Sequence, residues 1–252
     1  MKVYALSCGW LTAPAAAFID GAEGTMKVPV PAYYIEHPKG RAVFDTGMPA
    51  LLRTDPKTAI GGYLSTVFTA DMPPDADIDR QLQRIGVDPA SIDHVVNSHL
   101  HFDHCAGNAR LPNARIVVQK READAAREAG PPPEGFDPNT MLDGRDVKEV
   151  EGEFDLFGDG SVVLFPTYGH TAGHQSLKLA CDDGETVLAG DCCYFHKTLT
   201  DMKLPGFAHD ADEQRRSIRR LKAMADRGVR IIAGHDAEQW ASLPQAPRAM
   251  IG

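Results

Sequence analysis

Between His99 and His104 the chain carries the pattern H-x-H-x-D-H, three histidines and one aspartate within six residues. Neutral imidazoles joined by carboxylates suit zinc and similar divalent cations, at ligand distances of about 2.0–2.2 Å. A short loop with this spacing can aim His99 and His101 at one cation, and Asp103 and His104 at a neighbouring one. Six residues cannot fill two coordination shells, so further ligands are expected at the ends of other strands. Three residues fit. His170 follows the apolar run "SVVLFPT", Asp191 follows "TVLAG", and His235 follows "RIIAG". Gly169, Gly190 and Gly234 each precede one of them and permit the tight turns such loops need. The seven then divide: His99, His101 and His170 on one metal, Asp103, His104 and His235 on the other, Asp191 bridging.

An isolated histidine usually fills a core or a surface, and His37, His94, His196 and His209 are assigned to that class. His174, in "GHTAGH", is placed there too, with support of a ligand from behind as its alternative. A structural zinc site would want a closed, cysteine-rich tetrahedron. The five cysteines, at 8, 105, 181, 192 and 193, contain no C-x-x-C pair and no disulfide framework. They fit a reduced, intracellular inventory, and the metal site reads as catalytic.

The elements that must hold these residues read as strands with helices between them. "MKVYAL" is a first strand, and "AYYIEH" and "RAVFDTG" form a hairpin across "PKG". Residues 49–76 show no clear period and several prolines and glycines, as expected of a lid or binding loop. "DIDRQLQRIG" is a helix with Ile78, Leu82 and Ile85 on one face, and "IDHVVNS" is the buried strand that delivers the histidine cluster. "ARIVVQ" is a strand and "KREADAAREAG" a polar helix, followed by a proline-rich loop over residues 130–139. "SVVLFPT", "HQSLKLA", "ETVLAGD" and "VRIIAGH" are strands. "DADEQRRSIRRLKAMADRG" is an amphipathic helix with Asp210 and Glu213 as a capping box, and Ile218, Leu221 and Ala225 inward. Strands in each half with an outer helix imply an α/β sandwich: two central sheets with helices on both outer faces, in one domain over residues 1–252.

The 252 residues carry 26 Lys and Arg against 35 Asp and Glu, a net charge of −9. An acidic surface repels phosphate backbones, which disfavours nucleic acid as a partner. No apolar run approaches the ~20 residues of a membrane span. The first residues lack an uninterrupted apolar core of a signal peptide, because Gly9, Trp10, Thr12 and Pro14 break it. A cytoplasmic protein is expected, with a homodimer left open.

The motif H-x-H-x-D-H with the downstream His, Asp and His resembles the αββα hydrolases of the metallo-β-lactamase superfamily. "SHLHFDHCAGN", "DTGM", "GHTAGHQSL" and "GDCCY" resemble its dinuclear-zinc N-acyl-homoserine lactonases in particular. The likeness spans nearly the whole chain and is weakest across 50–76 and 131–150. It implies mixed sheets flanked by helices, two divalent ions (zinc first, though the same ligands take cobalt, manganese or iron), and a lactone substrate. It also implies hydrolysis by a hydroxide that the two metals share, the reaction that silences a quorum signal. Asp103 would pass a proton to the leaving alkoxide, and Tyr194 would donate to the developing oxyanion. Phe102 is expected to face the substrate, with Tyr63 and Phe68 as a wall for an acyl chain. Apolar residues of 49–76 packed inward as core are the equal alternative. Tyr168 stands where the family usually has proline, and Cys105 and Cys192 where it has smaller residues, which bears on substrate preference. The alternatives are hydrolysis of another lactone, a glutathione thioester or a phosphotriester. A thioesterase needs a basic patch, and Arg248 is the only cation after Arg230. Oxygen- or nitric-oxide-reducing di-iron relatives carry a glutamate where His101 stands.

Overall fold

The computed structural model describes residues 1–132, 135–181 and 184–252. Pro133 and Glu134, within the expected proline-rich loop, lie outside the described residues. The strands are β1 (Lys2–Pro14), β2 (Thr25–His37), β3 (Gly40–Phe44), β4 (Thr69–Asp71), β5 (His94–Val96), β6 (Arg115–Gln119), β7 (Val147–Val150), β8 (Phe154–Asp155), β9 (Val162–Pro166), β10 (Gln175–Cys181), β11 (Gly184–Leu188) and β12 (Arg230–Ile232). The helices are α1 (Pro56–Ile60), α2 (Gly62–Val67), α3 (Ile78–Arg84), α4 (Phe102–Cys105), α5 (Lys120–Ala129), α6 (Thr198–Asp201), α7 (Ala211–Ala225) and α8 (Ala237–Ser242). One sheet has the order β4-β1-β2-β3-β5-β6-β7 and the other β12-β11-β10-β9-β8.

Side chains alternate across a strand, and here that alternation sorts residues into separate cores. Val3, Tyr33, Ile35, Val96 and Val117 of the larger sheet meet Leu164, Leu177, Leu179, Leu188 and Ile232 of the smaller one, forming the layer between the sheets. Their neighbours Leu6, Tyr34, Val95, Ile116 and Val118 face the other way, toward Ile78 and Leu82 of α3 and Ala123 of α5. Val187 and Ile231 turn outward onto Leu199 of α6 and Ile218 and Leu221 of α7. The result is helix, sheet, sheet, helix. Each such aliphatic side chain, fully buried, contributes roughly 1.5–3 kcal/mol before chain entropy is counted.

Three expectations need amending. Residues 49–76 hold α1, α2 and β4, and β4 pairs with Trp10–Thr12 of β1. Helices of five and six residues are too short to show a 3.6-residue period. Asp55 caps α1 by accepting from Thr58 N, with Pro56 at the first position. In α7, Asp210 Oδ1 accepts from Asp212 N and Glu213 N as expected, but Glu213 does not reach back. Arg121 takes both its oxygens, at 2.9 and 2.8 Å, and Gly169 O accepts the Asp210 N–H. The buried face of that helix includes Met224, while Ala225 is only half-buried.

Candidate dinuclear metal centre

Strand direction brings the candidate ligands to one place. β3, β5 and β6 are mutually parallel, so Asp45 and His99 leave the larger sheet at the same edge. In the smaller sheet β10 is antiparallel to both β9 and β11, and β11 is parallel to β12. Hence β9, β11 and β12 run together, and His170, Asp191 and His235 emerge at one edge, as ligand sites in α/β proteins do. The short α4 presents Asp103 and His104. Gly169, with φ of 122°, turns the chain toward His170, and a Cβ there would lie 2.0 Å from Gln214 N.

The structure assembles all seven residues. Ligand atoms of His99, His101, His170 and Asp191 lie within 4.8 Å of one another, as do those of Asp103, His104 and His235. Asp191 faces both groups. Its Oδ1 is 3.2 Å from His104 Nε2 and 3.2 Å from His235 Nε2. Its Oδ2 is 3.3 Å from His170 Nε2 and 3.9 Å from His99 Nε2. Asp103 Oδ2 lies 3.5 Å from His104 Nε2 and 3.7 Å from His235 Nε2, and His101 Nδ1 is 3.1 Å from His170 Nε2.

Hydrogen bonds behind the rings settle which nitrogens face the centre. His104 Nδ1 donates to Asp45 Oδ2 at 2.8 Å, and His235 Nδ1 to Pro29 O at 2.8 Å. Ser98 Oγ pairs with His99 Nδ1 at 2.9 Å. Each leaves an Nε2 lone pair aimed inward. His99 Nε2, His104 Nε2 and Asp191 Oδ1 are buried and make no hydrogen bond among the described residues, an arrangement that costs about 1–3 kcal/mol per atom unless a cation takes them. The donor set, five imidazoles and two carboxylates without a thiolate, fits two divalent cations.

Charge tells the same story. Burial depresses the His104 pKa, but Asp191, Asp103 and Asp45 outweigh it and hold it well above its ordinary value. Burial opposes ionisation of Asp191, yet His104 and His235 keep it well below the usual carboxylate range. Asp103 is likewise lowered against its burial, chiefly by His104. The carboxylates thus call for positive charge at the centre. Burial, then Asp191 and Asp103, push the Tyr194 phenol well up, so it remains a neutral donor. Its ring lies 5.0 Å from that of His235 and 5.5 Å from that of His170.

A cavity of about 560 Å³ opens onto the centre. Asp103, Asp191, Tyr194 and His235 line it together with Phe18, Tyr63, Leu64, Phe68, Phe102 and Phe207. The apolar residues of 49–76 divide between core and cavity. Leu52 and Ile60 pack inward, whereas Tyr63, Leu64, Val67 and Phe68 line the cavity, with Tyr63 79% exposed. Tyr168, Cys105 and Cys192 do not line it, so the departures noted in sequence do not touch this wall. Tyr168 instead donates to Gln119 Oε1 and lies 4.6 Å beneath the Arg121 guanidinium.

Sequence reasoning missed Asp45, Phe18 and Phe207. Asp45 is buried at φ 59°, a backbone costly for a non-glycine residue, and accepts from Ser98 N, Ser98 Oγ and His104. Its place at the end of an apolar strand, like the ligands, was the available signal. His174 takes its supporting role: Nε2 accepts the Asp191 N–H at 3.0 Å.

The sequence pattern of the family described as "Metallo-beta-lactamase superfamily" matches residues 26–235. A protein of Azorhizobium caulinodans named N-acyl homoserine lactonase AttM is 32% identical over 245 residues, covering 90% of this chain and 89% of that protein. The N-acyl homoserine lactonase AiiA of Bacillus thuringiensis subsp. kurstaki is 31% identical over 216 residues, covering 85% and 84%. A solved structure of an N-acyl homoserine lactone hydrolase, with N-hexanoyl-L-homoserine bound at its catalytic metal centre, is 28% identical. It superposes with a TM-score of 0.87 over 98% of both chains. With its two mixed sheets between helices and its H-x-H-x-D-H loop, the chain belongs to the metallo-beta-lactamase superfamily.

Proposed function

We propose that this chain is a metal-dependent lactonase that opens the ring of N-acyl-homoserine lactones, with residues 1–252 acting as one hydrolase domain. One observation carries the reading: the cavity that reaches the ligand cluster is lined largely by aromatic and aliphatic residues and, among the described residues, by no Lys or Arg. Such a wall suits a neutral acyl tail and offers nothing to the carboxylates of a glutathione thioester. The names of the relatives, and the acyl-homoserine product in the superposed structure, agree with it.

Zinc is the proposed occupant, and two such ions would supply an acidified water and a Lewis acid for the carbonyl. The chain's own residues do the rest. His99, His101 and His170 would hold one ion, Asp103, His104 and His235 the other, and Asp191 would span both. As water adds to the lactone carbonyl carbon, Tyr194 donates its O–H to the oxygen on which charge develops. Asp103, kept ionised, turns Oδ2 toward His104 and His235, leaving Oδ1 to accept the proton of the attacking water. It returns that proton to the ring oxygen as the C–O bond breaks, giving an acyl-homoserine. Phe102, Tyr63 and Phe68 would hold the acyl chain. The five cysteines are free, in keeping with a reducing, cytoplasmic setting.

The test is a pH-indicator assay of purified protein against lactones of varied ring and acyl length, beside S-lactoylglutathione and a phosphotriester. Preferential turnover of acyl-homoserine lactones is expected. Rapid turnover of the thioester with these lactones inert would reject the assignment.

A further inference from the structure

We infer that Glu122 is a positioning residue of the metal centre, its buried carboxylate tying the loop of His99 and His101 to the loop of His170. The inference rests on reading the His and Asp cluster as a metal site. Glu122 stands in the first turn of α5 and is 5% exposed. Its Oε1 accepts the N–H of Leu100, the residue between His99 and His101, at 3.0 Å. Its Oε2 accepts the N–H of Gly173, three residues beyond His170, at 2.8 Å. The first loop leaves the larger sheet after β5, and the second leaves the smaller sheet after β9. One side chain therefore spans both sheets, behind three ligands of the same proposed ion.

The seam is tight. A Cβ on Gly173 would come within 2.1 Å of Glu122 N, so backbone lies directly on backbone and the loop has no room to shift. Among the described residues the carboxylate's hydrogen bonds are these two, both from uncharged donors. A buried carboxylate without a cationic partner is costly. Glu122 lines one hollow with His101 and His170, so the ion proposed for those ligands would supply the positive charge it lacks. Asp45 supports the other group by a different contact, accepting from the His104 ring, whereas Glu122 holds the backbone of its two loops.

The experiment compares Glu122→Ala and Glu122→Gln with wild type. Metal affinity is read by competition with a chromophoric chelator, and coordination by the visible spectrum of the cobalt(II)-loaded protein. In the alanine variant one ion should loosen by about ten- to a hundredfold, while the other keeps its wild-type affinity. Glutamine matches the volume but keeps one acceptor and no charge, so it should fall between, and it carries the test if the alanine variant does not fold. The cobalt spectrum should change for the loosened ion alone. Wild-type affinity for both ions with an unchanged spectrum would overturn the inference, even if melting temperature fell, because Glu122 would then only pack α5. Equal loosening of both ions would overturn it too. A wild-type chain that bound no metal would instead reject the metal reading, before any variant is compared.

Discussion

Trimming Phe68 to alanine asks whether the cavity wall reads an acyl chain. Phe68 is half-buried just after α2, its ring edge-on to Phe18 at 6.1 Å and to Phe102 at 5.9 Å. It thus links the 49–76 segment to the residue beside Asp103. Each methylene buried on this wall contributes up to ~0.8 kcal/mol, roughly fourfold in kcat/KM. Extending the acyl chain by about four methylenes therefore has a ceiling near 3 kcal/mol, roughly two-hundredfold. A cavity of about 560 Å³ falls within the range that encloses ligands of this size. Without the Phe68 ring the outer methylenes lose one side of their contact, and the gain should drop to about twofold per methylene or less. The assay is kcat/KM against acyl length, with an unsubstituted lactone as control for the chemistry at Asp103 and Tyr194. A flat dependence in the wild type would refute the reasoning, as would an unchanged slope in Phe68→Ala. Equal losses on the unsubstituted lactone would show that Phe68 props Phe102 and the ligand loop instead. Tyr63, 79% exposed, should matter only for the longest chains.

Protein purified without chelator should hold about two metals per chain, and His235→Ala should empty one position preferentially, as metal analysis would show. Tyr194→Phe should lower kcat by up to ~10²–10³ with both metals retained, and an unchanged kcat would assign the ring to packing. Burial holds His174 down at about 3 against an unfolded value of 6.5, so the folded chain leaves it neutral while the unfolded chain protonates it. That contribution to stability is present above pH 6.5 and is lost as pH falls toward 3, by about 2 kcal/mol between pH 6.5 and 5. Urea unfolding of metal-stripped protein should show a shallower acid slope in His174→Gln than in wild type.

The proposed metal ligands were legible because each is marked twice, by its own chemistry and by its place at or just beyond the end of an apolar strand. Neither mark depends on distant parts of the chain. The strands themselves were legible wherever alternation ran unbroken. β1 was read only to its first residues, because the pairing with β2 shifts register between Ser7 and Trp10, around Gly9 at φ 105°. The order of strands was not legible, since β3 beside β5, or β12 beside β11, is a choice among distant partners that local pattern does not encode.

Glu122 shows where such reading stops and what replaces it. Its helix reads as polar, and a glutamate in a first turn is what any exposed helix would carry. Its partners lie 22 and 51 residues away and are backbone N–H groups, which every residue but proline possesses. No residue type announces that contact. What betrays it in three dimensions is a buried carboxylate whose two hydrogen bonds, among the described residues, both come from uncharged donors, whereas buried Asp45 is met by His104. The ligands are thus written in side-chain chemistry, while the carboxylates that hold them in place are written in topology. The two sheets must close on each other before Glu122 meets both loops, so the ion proposed for His99, His101 and His170 can be bound tightly only by a chain whose sandwich is already formed.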